Sequence, residues 1–299
     1  MTPKDHLPKY KELTLIERFW LRTCFRFVGK GQPVGVTSQP KNWEQRLKES
    51  DYFLRKSFGA DIISDFNSKH VLDFGCGEGH FALAIALAAP KAEVVGVDIQ
   101  ERFVGAQAQA KQRGVSRLTF VLGHSQSLAD NSFDFILSHD SFEHFDDPKV
   151  ILKEMTRLLK PDGRILIKFG PTWMGPYGRH MFNVFRKDRP WMHLIIPEKS
   201  VMRIYSVIKR LPVLHESYRD YPDGLNKMTV AKAQKLLQNN GNTTLLSFEA
   251  TNYLEGTSLL KKILRPLLAV SICAELLSKE VIAVLGKLKV ENNRSLRSH

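Results

Sequence analysis

Three glycines at alternate positions, Gly75, Gly77 and Gly79, restrict the fold of this chain more than any other feature. They follow the apolar pair Val71-Leu72 and the acid Asp73, and a helical apolar pattern (Phe81, Ala82, Leu83, Ile85, Ala86, Leu87) begins at once behind them. The run reads as a strand, a tight turn and a helix opening. Glycine accepts positive φ and lets a ligand approach the backbone, and the first turn of the helix offers free N–H groups to that ligand. A second strand, Val94-Val95-Gly96-Val97-Asp98, ends in an acid. Strand, glycine turn, helix, strand and terminal acid form one nucleotide-binding half of a doubly wound α/β sheet.

The spacing narrows the ligand. The dinucleotide fingerprint is G-x-G-x-x-G, whereas this chain has G-x-G-x-G, and no Lys-Ser/Thr pair follows to cradle a triphosphate. Asp73 just before the turn disfavours a pyrophosphate and suits a cationic or zwitterionic ligand. Asp98 can accept hydrogen bonds from both hydroxyls of a ribose, and Ile99 can cover one face of an adenine.

At these residues the chain resembles the class I S-adenosylmethionine-dependent methyltransferases of the type 11 kind. The resemblance runs from about Lys69 to about Ile167 and takes in two further motifs, Asn131-Ser132-Phe133-Asp134-Phe135-Ile136 and Glu154 to Arg164 with its Lys160-Pro161-Asp162-Gly163 turn. It implies a Rossmann-like seven-stranded sheet, methyl transfer, and S-adenosylmethionine as cofactor. By position, Asp73 and Gly75 would hold the methionine end, Gly77 and Gly79 would permit close approach, and Asp98 would bind the ribose. Many relatives place an aspartate after the third strand, on the adenine amino group; here His124 occupies that place, in Leu122-Gly123-His124-Ser125-Gln126. Cys76 inside the loop, Ser125, and Ser138 at the end of the fourth strand complete the expected cofactor set.

The chemistry of methyl transfer asks for a base near the end of the fourth strand or in a covering segment. Ser138-His139-Asp140-Ser141-Phe142-Glu143-His144 is dense in titratable groups at that point. The acid-x-x-Glu-His spacing predicts Asp140 with Glu143 or His144 on one helical face. Some relatives bind a divalent cation with a Glu-x-x-Glu-His set; here the first acid is aspartate, and the expectation is that no metal is held. His180 and His193 are the other base candidates, since imidazole titrates near neutrality. Gly178-Arg179-His180 and Pro190-Trp191-Met192-His193-Leu194 resemble a bacterial subgroup associated with saccharide and cell-surface glycan modification. A hydroxyl on a saccharide, or on another small or lipid-linked molecule, is the expected acceptor.

Around the sheet, residues 1–60 read as a helical N-terminal extension, which the resemblance implies would cover the cofactor and shape the acceptor pocket. Residues 61–290 hold the methyltransferase domain, with strands expected near 70–74, 93–98, 118–122, 133–138 and 164–169. A cap insertion, 171–228, follows the fifth strand; it is rich in turns and aromatics (Trp173, Tyr177, Phe182, Phe185, Trp191, Tyr205, Tyr218, Tyr221), with a helix over Pro197–Arg210. A helix over Thr229–Asn239, a strand over Leu245–Thr251, a helix over Leu259–Leu277 and a last antiparallel strand over Val281–Leu285 finish the sheet. The polar tail 291–299 reads as disordered.

The formal net charge is +13, which favours anionic partners and motivates RNA methylation as a second reading, although no Arg-rich block supports it. A non-catalytic scaffold of the same fold is a third. Three dispersed cysteines, an odd number, and no apolar signal core argue for a reducing, cytoplasmic setting. No 18-residue uncharged apolar stretch exists to span a bilayer. Two basic amphipathic segments, Leu15–Lys30 and Leu259–Leu277, could lie on a membrane surface, but the expectation is that both pack on their own domain. The oligomeric state is not legible.

Overall fold

The computed structural model describes residues 9–25, 42–180, 189–220 and 224–288. In chain order these form α1 (Leu15–Cys24), α2 (Trp43–Phe58), α3 (Ile62–Asp65), β1 (His70–Phe74), α4 (His80–Ala88), β2 (Glu93–Asp98), α5 (Val104–Gln112), β3 (Leu118–Leu122), β4 (Phe133–His139), α6 (Pro148–Leu158) and β5 (Leu159–Phe169). Beyond them lie α7 (Met192–Ile195), α8 (Glu198–Lys209), α9 (Val230–Gln238), β6 (Thr243–Asn252), α10 (Leu259–Leu264), α11 (Ser271–Leu277) and β7 (Ser278–Lys287). The seven strands make one sheet in the order β3-β2-β1-β4-β5-β7-β6. β1 to β5 run parallel, and β7 enters antiparallel between β5 and β6.

The strand sequences dictate two buried faces. Along β1, Val71 enters one core and Leu72 the other; along β4, Phe135 and Leu137 alternate with Ile136 in the same way. A parallel sheet covered by helices on both sides needs such continuous apolar strands. α4 and α2 cover one face, and α6 and α9 the other. Caps fix the helix starts: Asp147 accepts from the N–H groups of Lys149 and Val150 with Pro148 in the first turn, and Thr229 accepts from Lys232.

The fifth strand starts at Leu159, earlier than expected, because Leu159 pairs with Phe133 across a register shift. The expected helix over Leu259–Leu277 is broken: a 3-10 turn, Arg265–Ala269, with Pro266 in its first turn, separates α10 from α11. A proline lacks the N–H that would continue the helical ladder. The N-terminal extension splits in two. α2 packs on α4 beside the glycine turn, where Arg46 pairs with Glu78. α1, started by a Thr14–Glu17 capping box, instead joins α8 in a second core built from Tyr10, Leu21, Phe25, Met192, Val201, Tyr205 and Tyr218. The segment after β5 thus shares with α1 a hydrophobic core separate from those of the sheet. The expectations for Phe182, Phe185, Tyr221 and the tail 291–299 lie outside the described residues.

Candidate functional site

The glycine turn is built as the spacing requires. Gly75, Gly77 and Gly79 all have positive φ, at 76°, 52° and 77°. A Cβ on Gly75 would fall 2.9 Å from Ser141 Cβ, and one on Gly79 would fall 2.6 Å from the Phe120 ring, so both glycines are also demanded by packing. Gly77 is different: a Cβ there would meet nothing within 4 Å, so this glycine faces open space. Beside it lies Asp98, whose carboxylate accepts from Gly77 N and from Gln100 N, each at 2.8 Å. These two bonds aim the carboxylate and leave further lone pairs for hydroxyl donors. Ile99, next in the chain, is 66 % exposed and offers the apolar surface a flat base would cover.

Asp73 is buried and accepts from Ala82 N at 3.1 Å. Burial pushes its carboxyl up to about 7, aided by the Asp98 charge and opposed by the Ala82 hydrogen bond. A cation placed beside it would favour its charged form. Cys76 is buried, and desolvation drives its thiol well above the ordinary range. It packs under the turn, close to Gly96, rather than acting as a nucleophile. The chain's own residues therefore fit S-adenosylmethionine: an open glycine, an aimed acid for the ribose, and a buried acid for the cationic end.

Two expected cofactor residues are otherwise engaged. The Ser125 hydroxyl donates to Glu154 at 2.8 Å, in a network with Arg157, so its side chain is committed to α6. The Ser138 and Ser141 hydroxyls lie 2.8 Å apart, and Ser141 donates to Phe74 O, so the pair ties β4 to the end of β1 beneath the turn. His124 is exposed on the loop after β3, where the adenine edge is expected.

The end of β4 divides into two groups. Asp140 adopts positive φ, 52°, directly after the strand. This turns its carboxylate toward Lys168 of β5, at 2.6 Å, and His139, at 3.2 Å. Desolvation opposes its charge, but the close His139 ring and the Lys168 ammonium hold its carboxyl below the ordinary range. The expected shared helical face does not form. A short 3-10 turn, Phe142–His144, follows, and Asp140 parts from Glu143 and His144. His139 is buried against the Phe81 ring, and desolvation lowers its pKa.

Glu143, His144 and His180 come together instead. One ligand atom from each lies within 4.8 Å of the others. Glu143 is 3 % exposed; its Oε1 accepts from Gly170 N, and its Oε2 has no hydrogen-bond partner. Burial raises its carboxyl to about 7, with the Asp140 charge adding to the effect and His144 opposing it. His144 Nδ1 donates to Gly224 O at 2.7 Å, and His180 Nε2 donates to Pro171 O at 3.0 Å. Carbonyls only accept, so both tautomers are set, with His144 Nε2 and His180 Nδ1 as the basic nitrogens. Burial depresses His180 to about 4, so it is neutral at pH 7.

His193 is not part of this group. It donates from Nε2 to Trp173 O and packs edge-on against the Trp173 ring, between the insertion's helices. Sequence reasoning missed two residues of the site. Lys168 was visible as one lysine inside the apolar run Ile165–Phe169. Asn226 carried no signal, yet its amide donates to Phe142 O and Phe145 O and clamps the turn that bears Glu143.

Residues 65–171 match the family described as Methyltransferase domain. Residues 65–171 are thus a methyltransferase domain, similar to those of the class I S-adenosylmethionine-dependent methyltransferases. Among curated proteins it is similar to the uncharacterized methyltransferase YcgJ of Bacillus subtilis, 39% identical over 132 residues, which span 42% of this chain and 51% of that one. It is also similar to the demethylmenaquinone methyltransferase of Bacillus velezensis, 29% identical over 190 residues, 61% of this chain and 78% of that one. The chain spans about half the length or less of the first curated relatives it matches. The crystal structure of YcgJ superposes with a TM-score of 0.46 at 20% identity, covering 81% of this chain and 99% of that one. The family's cofactor is S-adenosylmethionine. Among the described residues, no helix is long and apolar enough to cross a membrane.

Proposed function

We propose that this methyltransferase transfers the methyl group to a hydroxyl oxygen of a saccharide or other small or lipid-linked acceptor, with Glu143 as general base. One observation carries the reading: a buried carboxyl with an unpartnered oxygen and a pKa near 7 stands just past the end of β4, at the carboxyl edge of the sheet. Ligands of open α/β sheets bind at that edge, and a base works best when its pKa lies near the working pH. Asp73, Gly77 and Asp98 would hold the cofactor, which supplies an electrophilic methyl on a sulfonium when bound. Glu143 would take the proton of the acceptor hydroxyl as its oxygen receives the methyl group, with the cofactor's thioether as leaving group. His180, neutral and fixed by Pro171 O, receives a hydrogen bond from the acceptor or from protonated Glu143. The aromatics of the insertion, Trp173 and Tyr177, suit a sugar ring or a flat acceptor; the name of the Bacillus velezensis relative keeps a quinone-type acceptor in the same class of small molecules.

A second reading has its own support. The convergence of Glu143, His144 and His180 could hold a divalent ion, and one carboxylate with two imidazoles suits a transition metal better than Mg²⁺. RNA methylation and a cofactor-binding scaffold without turnover rest on the charge and the fold alone. The deciding experiment incubates the protein with methyl-labelled cofactor and fractionated lysate. Label in glycan or lipid supports the proposal; label in RNA or protein, or cofactor binding with no labelled product, replaces it.

A further inference from the structure

Both basic amphipathic segments were expected to pack on their own domain. α1 does so through Leu21 and Cys24. The C-terminal one does not: between Glu255 and Leu277 no residue is buried. Leu259, Leu260, Ile263 and Leu267, at helical spacing i, i+1, i+4 and i+8, are 72, 65, 63 and 45 % exposed, and Val270 and Ile272 are 50 and 53 % exposed. The segment is nevertheless fastened down. Glu275 accepts from Val230 N and Ala231 N at the start of α9, and Trp191 of the insertion donates to Leu276 O. Its one carboxylate is thereby turned inward.

The cations of the segment are not neutralised. Among the described residues Lys261 and Arg265 hydrogen-bond only to main-chain carbonyls at 254–256, and no ion pair engages Lys261, Lys262 or Arg265. Apolar side chains exposed beside unpaired cations match an anionic bilayer, which takes the former into its acyl boundary and the latter among its headgroups. A second copy of the same face would set these cations against each other.

We propose that Leu259–Leu277 docks this methyltransferase on an anionic lipid bilayer. The docking stands on the exposed segment alone. Its purpose, to bring the insertion to a lipid-linked acceptor, rests on the acceptor reading above, since Trp191 joins this segment to the insertion.

The test is cosedimentation of the full chain with phosphatidylcholine vesicles and with mixed phosphatidylcholine–phosphatidylglycerol vesicles, with no acceptor and no turnover. The expected result is binding to the mixed vesicles, weakened by salt, and reduced at least about tenfold in Leu260→Asp/Ile263→Asp and in Lys261→Glu/Lys262→Glu. These side chains are solvent-exposed or nearly so, and unchanged melting checks that each variant is folded; the charge variant serves if the apolar one fails to fold. Absence of binding to mixed vesicles overturns the proposal, as does binding unchanged in a folded variant. A wild-type dimer by light scattering that Leu260→Asp/Ile263→Asp converts to monomer, without vesicle binding, assigns the face to a second copy instead. A failure here leaves the acceptor experiment standing, and a failure there leaves vesicle binding measurable.

Discussion

Asp98 closes β2, and Asp140 follows the last residue of β4, so both acids reach the same carboxyl edge of the sheet. Asp98 accepts from two backbone N–H groups, those of Gly77 and Gln100. Asp140 is held by side chains, the ammonium of Lys168 and the imidazole of His139. Backbone donors orient a carboxylate without cancelling its charge, which leaves Asp98 able to accept from a ligand. A cation 2.6 Å away consumes the charge of Asp140 locally and leaves Glu143 as the acid available for proton transfer. In the proposed function, two acids that read alike in sequence fall into a binding half and a reacting half, and each half can be broken separately.

The largest effect is expected in the reacting half. Glu143→Gln should lower turnover roughly 10²–10⁴-fold, the usual contribution of a positioned base, with cofactor affinity unchanged by calorimetry. The wild-type rate should rise with pH through about 7, because the base works as carboxylate and its pKa is raised to that value. The sign for stability is opposite. A carboxyl whose folded pKa is raised stabilises the fold below its unfolded pKa, and that contribution is lost as pH rises through about 7. Glu143→Gln should therefore melt higher than wild type at pH 8, relative to the difference at pH 5. A variant with normal turnover would move the base to His180, His144 or His139.

Asp98→Ala should do the reverse. Loss of its charge-assisted hydrogen bonds should weaken S-adenosylhomocysteine binding by roughly 1–3 kcal/mol, with less effect on the bound complex's rate at saturation. Unchanged affinity would remove Asp98 from the ribose, and a preference for NAD would contradict the reading of the glycine turn.

How far the sequence carried these two halves differs for a physical reason. The binding half is local: Gly75 to Gly79, Asp98 and the strand periods around them sit within two adjacent strands, and their positions follow from turn chemistry and alternation. The reacting half is assembled over long separations. Glu143 and His180 are brought together by the return of the chain after β5, and Asp140 is diverted by a lysine one strand away. No spacing rule reports a non-glycine residue at positive φ after a strand, and without it the acid-x-x-Glu-His run reads as a helical face. The partner of the Ser125 hydroxyl was hidden for the same reason, since Glu154 lies in α6. The strand β7 and the helix α8 were legible from their apolar patterns, whereas the antiparallel direction of β7 came from the family resemblance.

The two histidines of the insertion sharpen the comparison at smaller cost. His180 faces the Glu143 group, whereas His193 supports Trp173. His180→Ala should lower turnover of the folded fraction about tenfold or more through loss of a positioned hydrogen bond in the transition state, with cofactor affinity unchanged. His193→Ala should leave turnover of the folded fraction nearly intact and reduce stability by about 1–2 kcal/mol, the cost of leaving Trp173 O and the ring packing without a partner. Equal losses of turnover in both would mean that the insertion acts as one rigid unit rather than through His180.

The smallest effect is expected from chelation, and it bears on how Asp140 is used. A divalent ion at this edge would be held most firmly if Asp140, Glu143 and His144 all faced it, as carboxylates neutralise the ion's charge. Asp140 instead neutralises Lys168, and Glu143 is a carboxyl with a raised pKa, so only one acid is left beside two imidazoles. Exhaustive chelation should therefore leave turnover unchanged, and added Mn²⁺ or Mg²⁺ should not increase it. Activity lost on chelation and restored by Mn²⁺ would show that Glu143, His144 and His180 act as ligands, and Glu143→Gln would then abolish metal binding as well as turnover. That outcome would also reverse the pH argument, because an ion beside Glu143 would hold its carboxylate charged well below pH 7 and remove the rise in rate through neutrality.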